Sequence, residues 1–96
     1  MELEMPVYAV FGLSNPNQAK KNIVQTYPGA YYDAGNGVFF IASNTETTIE
    51  VGNRIGFGND NRVLKIDGII VPVTNYWGRY NTNVWEWIAA RQISGA

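Results

Sequence analysis

The sequence predicts one small α+β domain, in which a strand, a helix, a β-hairpin, a second helix and a further strand precede a C-terminal helix. Short β-rich runs alternate with segments that open on helix-capping residues, and turn residues separate them. The 96 residues, 46% of them apolar, suffice for one hydrophobic core and are too few for two. We therefore expect a single domain over residues 1–96, with residues 1–6 as a loose N-terminus.

The first strand is predicted over residues 7–13, because a nearly continuous apolar run is typical of a central strand buried on both faces. A helix should follow, since Ser14 or Asn15 can supply a capping oxygen and Pro16 fits the first helical position. The Pro28–Gly29 step should end this helix. The residues expected on its buried face are Ala19, Ile23, Val24 and Tyr27.

The next two β-like runs, residues 30–32 and 38–42, flank a segment of turn residues, and this pattern predicts an antiparallel hairpin. A second helix is predicted over about residues 45–55, since Ser43 and Glu46 have capping-box spacing. Its β-branched residues and an internal glycine give this helix poor propensity, so tertiary packing must hold it.

Residues 62–73 are again β-rich, and the Asp67–Gly68 step can divide them into a small hairpin. One long strand with a bulge at this glycine is the competing interpretation, and the sequence leaves both open. Pro72 cannot donate a backbone hydrogen bond, so its end of the strand belongs at a sheet edge or where pairing stops. A last helix should be capped by Asn81 or Thr82. The residues expected on one face of it are Val84, Trp85, Ile88 and Ala89, with Trp87 and Arg91 pointing elsewhere.

Composition excludes several kinds of chemistry. The sequence has no cysteine and no histidine, which removes disulfides, thiolate chemistry and the commonest general base at neutral pH. Seven Lys and Arg nearly balance eight Asp and Glu, which argues against a strongly basic nucleic-acid surface. No apolar run approaches the roughly 20 residues of a membrane span, and the start lacks a basic leader region. We therefore expect a cytoplasmic protein without a membrane segment or a cofactor.

The predicted order of elements matches the ferredoxin-like βαββαβ plan, a split sandwich, with an additional C-terminal helix. Within that plan the chain resembles small proteins of the SinR-family, VapD-like and CRISPR-associated integration-nuclease group. The resemblance rests on an opening strand followed by Asn-Pro (Val7 to Pro16), an aromatic hairpin (Tyr31 to Ile41) and an aromatic tail leading into a Trp-bearing helix (Tyr76 to Ile88). It implies a ferredoxin-like fold that pairs through its sheet.

The same resemblance implies a metal site in the nuclease members, where an aspartate at the end of the first strand meets its copy across a homodimer. Here Gly12 occupies the expected position, and the amide of Asn15 is a weak ligand for Mg²⁺. This departure falls on the chemistry itself, so the sequence predicts no catalytic residue and no metal ligand.

Charged residues elsewhere have ordinary explanations. Glu46 and Glu50 could chelate a cation from one helix, but a capping residue beside a solvated face accounts for them better. Turn formation explains the aspartates beside Gly or Asn, which are Asp33, Asp60 and Asp67. Five cations could contact phosphate but are more often simply solvated, namely Lys20, Lys21, Arg54, Arg62 and Lys65.

The sharpest local feature is an aromatic segment in which large rings flank an arginine. This composition is typical of interface hot spots, of base-stacking platforms and of an aromatic cover over a core. The candidate binding residues are Tyr76, Trp77, Arg79 and Tyr80.

The leading hypothesis is a non-enzymatic interaction or assembly module, which forms a homodimer by its sheet edges or its aromatic tail and binds a protein partner. The alternative is a divalent-metal-dependent endoribonuclease of the VapD-like type, or a weak nucleic-acid-binding domain. The nuclease needs a pair of carboxylates brought together in a dimer, whereas a binding module needs only an exposed patch.

Overall fold

The computed structural model describes residues 5–59, 62–74 and 82–92, and that part of the chain forms one four-stranded sheet and three α-helices. The strands are β1 (Val7–Phe11), β2 (Tyr31–Gly35), β3 (Val38–Ala42) and β4 (Ile69–Pro72). The helices are α1 (Pro16–Thr26), α2 (Thr48–Gly52), which continues into a π-helical turn (Asn53–Phe57), and α3 (Thr82–Gln92). The predicted α+β class is confirmed, as is the order of the elements along the chain.

The sheet has the order β2-β3-β1-β4, and every neighbouring pair is antiparallel. β1 and β2 therefore run in the same direction, with β3 between them. β1 is an interior strand, as its apolar run predicts. β4 lies at an edge, as predicted for a strand that contains Pro72.

Helices cover both faces of the sheet. Side chains along each strand alternate between the two faces, and both faces carry apolar side chains that pack against helices. Tyr8 and Val10 of β1 face α1, α2 and the π-helical turn, whereas Val7 faces α3. The core on the first side consists of Tyr8, Val10, Ile23, Tyr27, Phe39, Ile41, Val51 and Ile55. The core under α3 is smaller and consists of Val7, Val73, Val84 and Ile88.

The start of α1 is as predicted, but its buried face differs by one residue. Asn15 caps the helix by accepting from the Gln18 N–H at 3.1 Å, and Pro16 occupies the first turn. Val24, expected in the core, is 38% exposed, and Asn22 is instead 2% exposed. The helix therefore buries a polar residue where an amphipathic pattern favours an apolar one.

The hairpin turn is tighter than predicted. Asn36 and Gly37 alone connect the strands, with φ of 56° and 75°, the two positive angles of a type I′ turn. β2 consequently continues to Gly35, with a register shift between Asp33 and Gly35.

The second helix begins later than predicted, because a different capping box starts it. Thr47 accepts from the Glu50 N–H at 3.2 Å, and the Glu50 carboxylate accepts from the Thr47 N–H at 2.8 Å. The chain then widens into the π-helical turn, within which Gly56 departs from helical geometry with φ of 118°. A single helix over 45–55 was therefore wrong, and its poor propensity is the physical reason.

Neither interpretation of residues 62–73 is correct, since β4 is the only strand there and it begins after Gly68. Residues 64–66, which precede β4, form hydrogen bonds with the helical segments and not with a neighbouring strand. The Ile66 N–H donates to the Gly56 carbonyl, and the Leu64 carbonyl accepts from the Asn22 side chain. These bonds hold residues 64–66 away from the sheet.

The last helix forms as predicted, with Val84 and Ile88 buried. Trp87, predicted to point away from the buried face, instead packs its ring on Tyr32 of the sheet, with 5.9 Å between ring centroids. The Arg91 guanidinium lies over the Trp87 ring, 4.2 Å from its centroid. At the N-terminus the Met5 N–H donates to the Arg91 carbonyl at 3.2 Å, and residues 1–4 of the segment predicted to be loose lie outside the described part of the chain.

Substituting the buried amide tests how α1 is held. Asn22→Ala should lower the free energy of unfolding by about 2–4 kcal/mol, because it leaves the carbonyls of Ile55 and Leu64 without a donor. Urea denaturation measures this loss. Asn17→Ala, an exposed change on the same helix, should stay within about 0.5 kcal/mol of the wild type. Equal effects of the two changes would contradict a special role for Asn22.

Candidate interaction surface

The aromatic residues predicted as the binding site lie outside the described part of the chain. Tyr76, Trp77, Arg79 and Tyr80 all fall within residues 75–81. Their role stays a prediction, and the surfaces characterised below are built by other residues.

The carboxylates of Asp33 and Glu50 accept hydrogen bonds from nearby backbone N–H groups, and Asp67 is held through its own backbone. Asp33 accepts from the Gly35 N–H at 2.9 Å and forms an ion pair with Lys20 at 3.2 Å. Glu50 completes the capping box of α2, and the backbone of Asp67 exchanges hydrogen bonds with Ser14. Within the described residues no three His, Cys, Asp or Glu side chains form a group that could hold a metal ion.

At the end of β1, the position where the resemblance would place a carboxylate is occupied by Gly12. Gly12 has φ of 65°, in the left-handed region that favours glycine. Asn15 is occupied as the cap of α1. This strand end is shaped by a turn into a helix, and its described residues present no carboxylate.

Glu46 is the most connected carboxylate among the described residues, and its side chain is only 14% exposed. One oxygen accepts from the hydroxyls of Tyr27 and Ser43, both at 2.8 Å, and the other contacts Nε of Arg54. Its backbone carbonyl accepts from the Tyr8 hydroxyl at 2.7 Å. Burial and the bond to Glu46 together raise the pKa of Tyr27 above its ordinary value. The sequence marked Glu46 as a cap, and no local signal could reveal partners on three other elements.

An apolar patch lies on the α3 face of the sheet, and we call it the edge strip. It consists of Phe11, Ile69 and Val71, which are 36%, 50% and 38% exposed. Phe11 pairs directly with Ile69 across β1 and β4, and Ala9 pairs with Val71. The described part of α3 packs over the other end of this face, against Val7 and Val73. The sequence predicted a strand here and could not indicate that its apolar side chains stay exposed.

Four of the five cations that the sequence scatters over several elements border two adjoining surface depressions. The first is a cleft of about 230 Å³, which we call the arginine cleft, lined by Gln25, Thr26, Arg54, Arg62 and Val63. The second follows the outer face of α1 and is lined by Asn17, Lys20, Lys21, Val24 and Gln25. Gln25 belongs to both, so the two depressions form one continuous surface.

Comparison of the chain with family models, curated proteins and solved structures finds no match. Among the residues that the structure describes, no helix has the length and apolar content to cross a membrane. Functional proposals for this protein therefore rest on its own surfaces.

We expect the protein to lose stability at alkaline pH, because the buried hydroxyls of Tyr27 and Tyr8 must ionise there. The pKa values of Tyr27 and Tyr8 are raised from 10 mainly by burial, so the folded protein holds both protons more tightly than the unfolded chain. This stabilisation is complete below pH 10 and is lost as pH rises, by at most about 1.4 kcal/mol per pH unit for each tyrosine. Urea denaturation between about pH 9 and about pH 11 should show the decline, and Tyr27→Phe should make it shallower. An unchanged slope in Tyr27→Phe would contradict this assignment.

Proposed function

We propose that the protein is a non-enzymatic interaction module whose protein partner is a second copy of the same chain, bound through the edge strip. The observation that carries this proposal is the grouping of three large, exposed apolar side chains on one face of two paired strands. Scattered exposed apolar residues are normal, whereas a contiguous group favours a protein contact. Phe11, Ile69 and Val71 form such a group.

The contact we propose uses the face of the sheet and not its edge. The Val73 N–H donates to the Val7 carbonyl at 2.8 Å, so by alternation the nitrogen of Pro72 faces away from β1. The outward side of β4 therefore lacks a donor at this residue, and the strand is only four residues long. Short edges that contain proline resist strand addition, which leaves side-chain packing as the mode of association.

A second copy is the occupant that the chemistry of the strip favours. β1 and β4 contain no charged residue, so the strip is complementary to itself under a two-fold axis. A net charge of −1 gives little repulsion between copies. A stable interface buries about 800 Å² per partner, more than three partly exposed side chains supply. We therefore propose a weak dimer that dissociates on dilution.

We further propose that the fold follows the ferredoxin-like plan. In support, α1 connects β1 to β2, and β3 lies between these two strands in an antiparallel sheet. The short α2 with its π-helical turn and the placement of α3 on the opposite face are departures from the simplest form of that plan.

Substitutions in the strip test the dimer. Light scattering after size exclusion should give a mass that rises from 10.7 kDa toward twice that value as protein concentration increases. Ile69→Lys and Val71→Lys should remain at the monomer mass, because a dimer would bury the introduced charge. Leu64→Lys is the matched control, since Leu64 is 65% exposed but lies outside the strip.

Circular dichroism of each variant shows whether the fold survives. A wild type that is monomeric at every accessible concentration would overturn the proposal. So would folded Ile69→Lys and Val71→Lys variants that dimerise as strongly as the wild type.

A further inference from the structure

We propose that Asn36 is a site of spontaneous deamidation, at which water converts the side-chain amide to a carboxyl group and ammonia is released. Asn36 and Gly37 alone connect β2 to β3, and the Asn36 side chain is exposed at this turn. Asn36 is also the single asparagine of the sequence that a glycine follows. The inference does not depend on self-association, because the reaction takes place within one chain.

The reaction begins at the backbone nitrogen of Gly37. Its lone pair attacks the side-chain carbonyl carbon of Asn36, and the new C–N bond closes a five-membered succinimide ring. The bond from that carbon to Nδ2 breaks, and Nδ2 leaves as ammonia with the proton of the Gly37 N–H. Water then adds to one of the two ring carbonyls and opens the ring. Attack on the side-chain carbonyl gives aspartate, and attack on the main-chain carbonyl gives isoaspartate.

The conformation of the turn sets when the ring can close. The φ angles of Asn36 and Gly37 are those of a type I′ turn, in which ψ of the first central residue is about +30°. That angle turns the Gly37 nitrogen away from the Asn36 side chain, so Asn36 must leave this conformation before the nitrogen can attack. Exposed loop tips open at a small fraction of the free energy of global unfolding. The turn can therefore open while the rest of the protein stays folded.

The other described asparagines lack this combination of features. Asn15 precedes Pro16, whose nitrogen carries no hydrogen, so it cannot close a neutral succinimide. The amide of Asn22 is buried, and its nitrogen donates to two backbone carbonyls. Each of the remaining asparagines is followed by a residue whose side chain crowds the attacking nitrogen. Asn36 alone joins an exposed amide to an uncrowded neighbour.

The two products differ in their effect on the hairpin. Aspartate keeps the length of the main chain, and Asp-Gly is a favoured pair in a type I′ turn. Isoaspartate routes the main chain through its own side-chain carbon and so adds one atom to the connection. Because a two-residue connection sets the register of β2 against β3, the added atom should loosen β2, an outer strand of the sheet.

A purely structural role for the pair makes a different prediction. Asn-Gly is favoured in type I′ turns for its positive φ angles alone. If the turn never opened in the folded protein, Asn36 would react only after unfolding. The native protein would then stay unmodified while the same protein in urea deamidated.

The test is incubation of the folded protein in warm, mildly alkaline buffer, followed by peptide mass spectrometry that separates aspartate from isoaspartate. We expect both products at residue 36 before any product at another described asparagine. Asn44, which is exposed and followed by Thr45, is the internal reference. Asn36→Gly is the matched control variant, since Gly-Gly suits the same turn and has no amide to lose.

Thermal unfolding of the separated products tests the consequence for the hairpin. The isoaspartate form should melt at a lower temperature than the wild type, whereas Asn36→Asp should melt as the wild type does. Folded protein that stays unmodified at residue 36 while urea-unfolded protein reacts would overturn the proposal. So would earlier reaction at Asn44. An isoaspartate form with the wild-type melting temperature would contradict the loosening of β2.

Discussion

The buried amide of Asn22 is the contact on which the α1 side of the molecule depends. It joins α1 to the π-helical turn and to the loop that precedes β4, through the carbonyls of Ile55 and Leu64. The backbones approach so closely that a Cβ at Gly56 would lie 2.7 Å from the Leu64 carbonyl and 3.0 Å from Nδ2 of Asn22. Glycine at this position is therefore required by both space and its positive φ.

Glu46 performs a related task at the other end of α2. Helix α2 is short and poor in helix-forming residues, so its position depends on bonds to its neighbours. Tyr27 reaches Glu46 from the C-cap position of α1, and Arg54 reaches it from the π-helical turn. The same carboxylate thereby sets the position of the arginine that borders the cleft.

The two faces of the sheet have different consequences for function. The face under α1 and α2 carries the larger of the two cores, which these helices and the π-helical turn cover. The face under α3 has a smaller core and leaves Ile69 and Val71 exposed at the edge strand. Helix α3 is about 10–12 Å across, whereas four strands about 4.8 Å apart span about 14 Å between the axes of the outer strands, so α3 alone leaves part of this face uncovered.

Local chemistry in the sequence determined the elements of this protein, and tertiary contacts decided where several of them begin and which side chains are buried. Asn15 with Pro16, and Asn36 with Gly37, act through neighbouring backbone atoms, so α1 and the hairpin could be predicted. Two capping-box patterns follow one another, however, at 43–46 and 47–50, and the second starts α2 because the Glu46 carboxylate is engaged by distant partners. The buried Asn22 and the exposed edge strip likewise depend on which segments meet in space, which spacing along one chain does not encode. For the aromatic segment at 75–81, the sequence alone supports a role in binding.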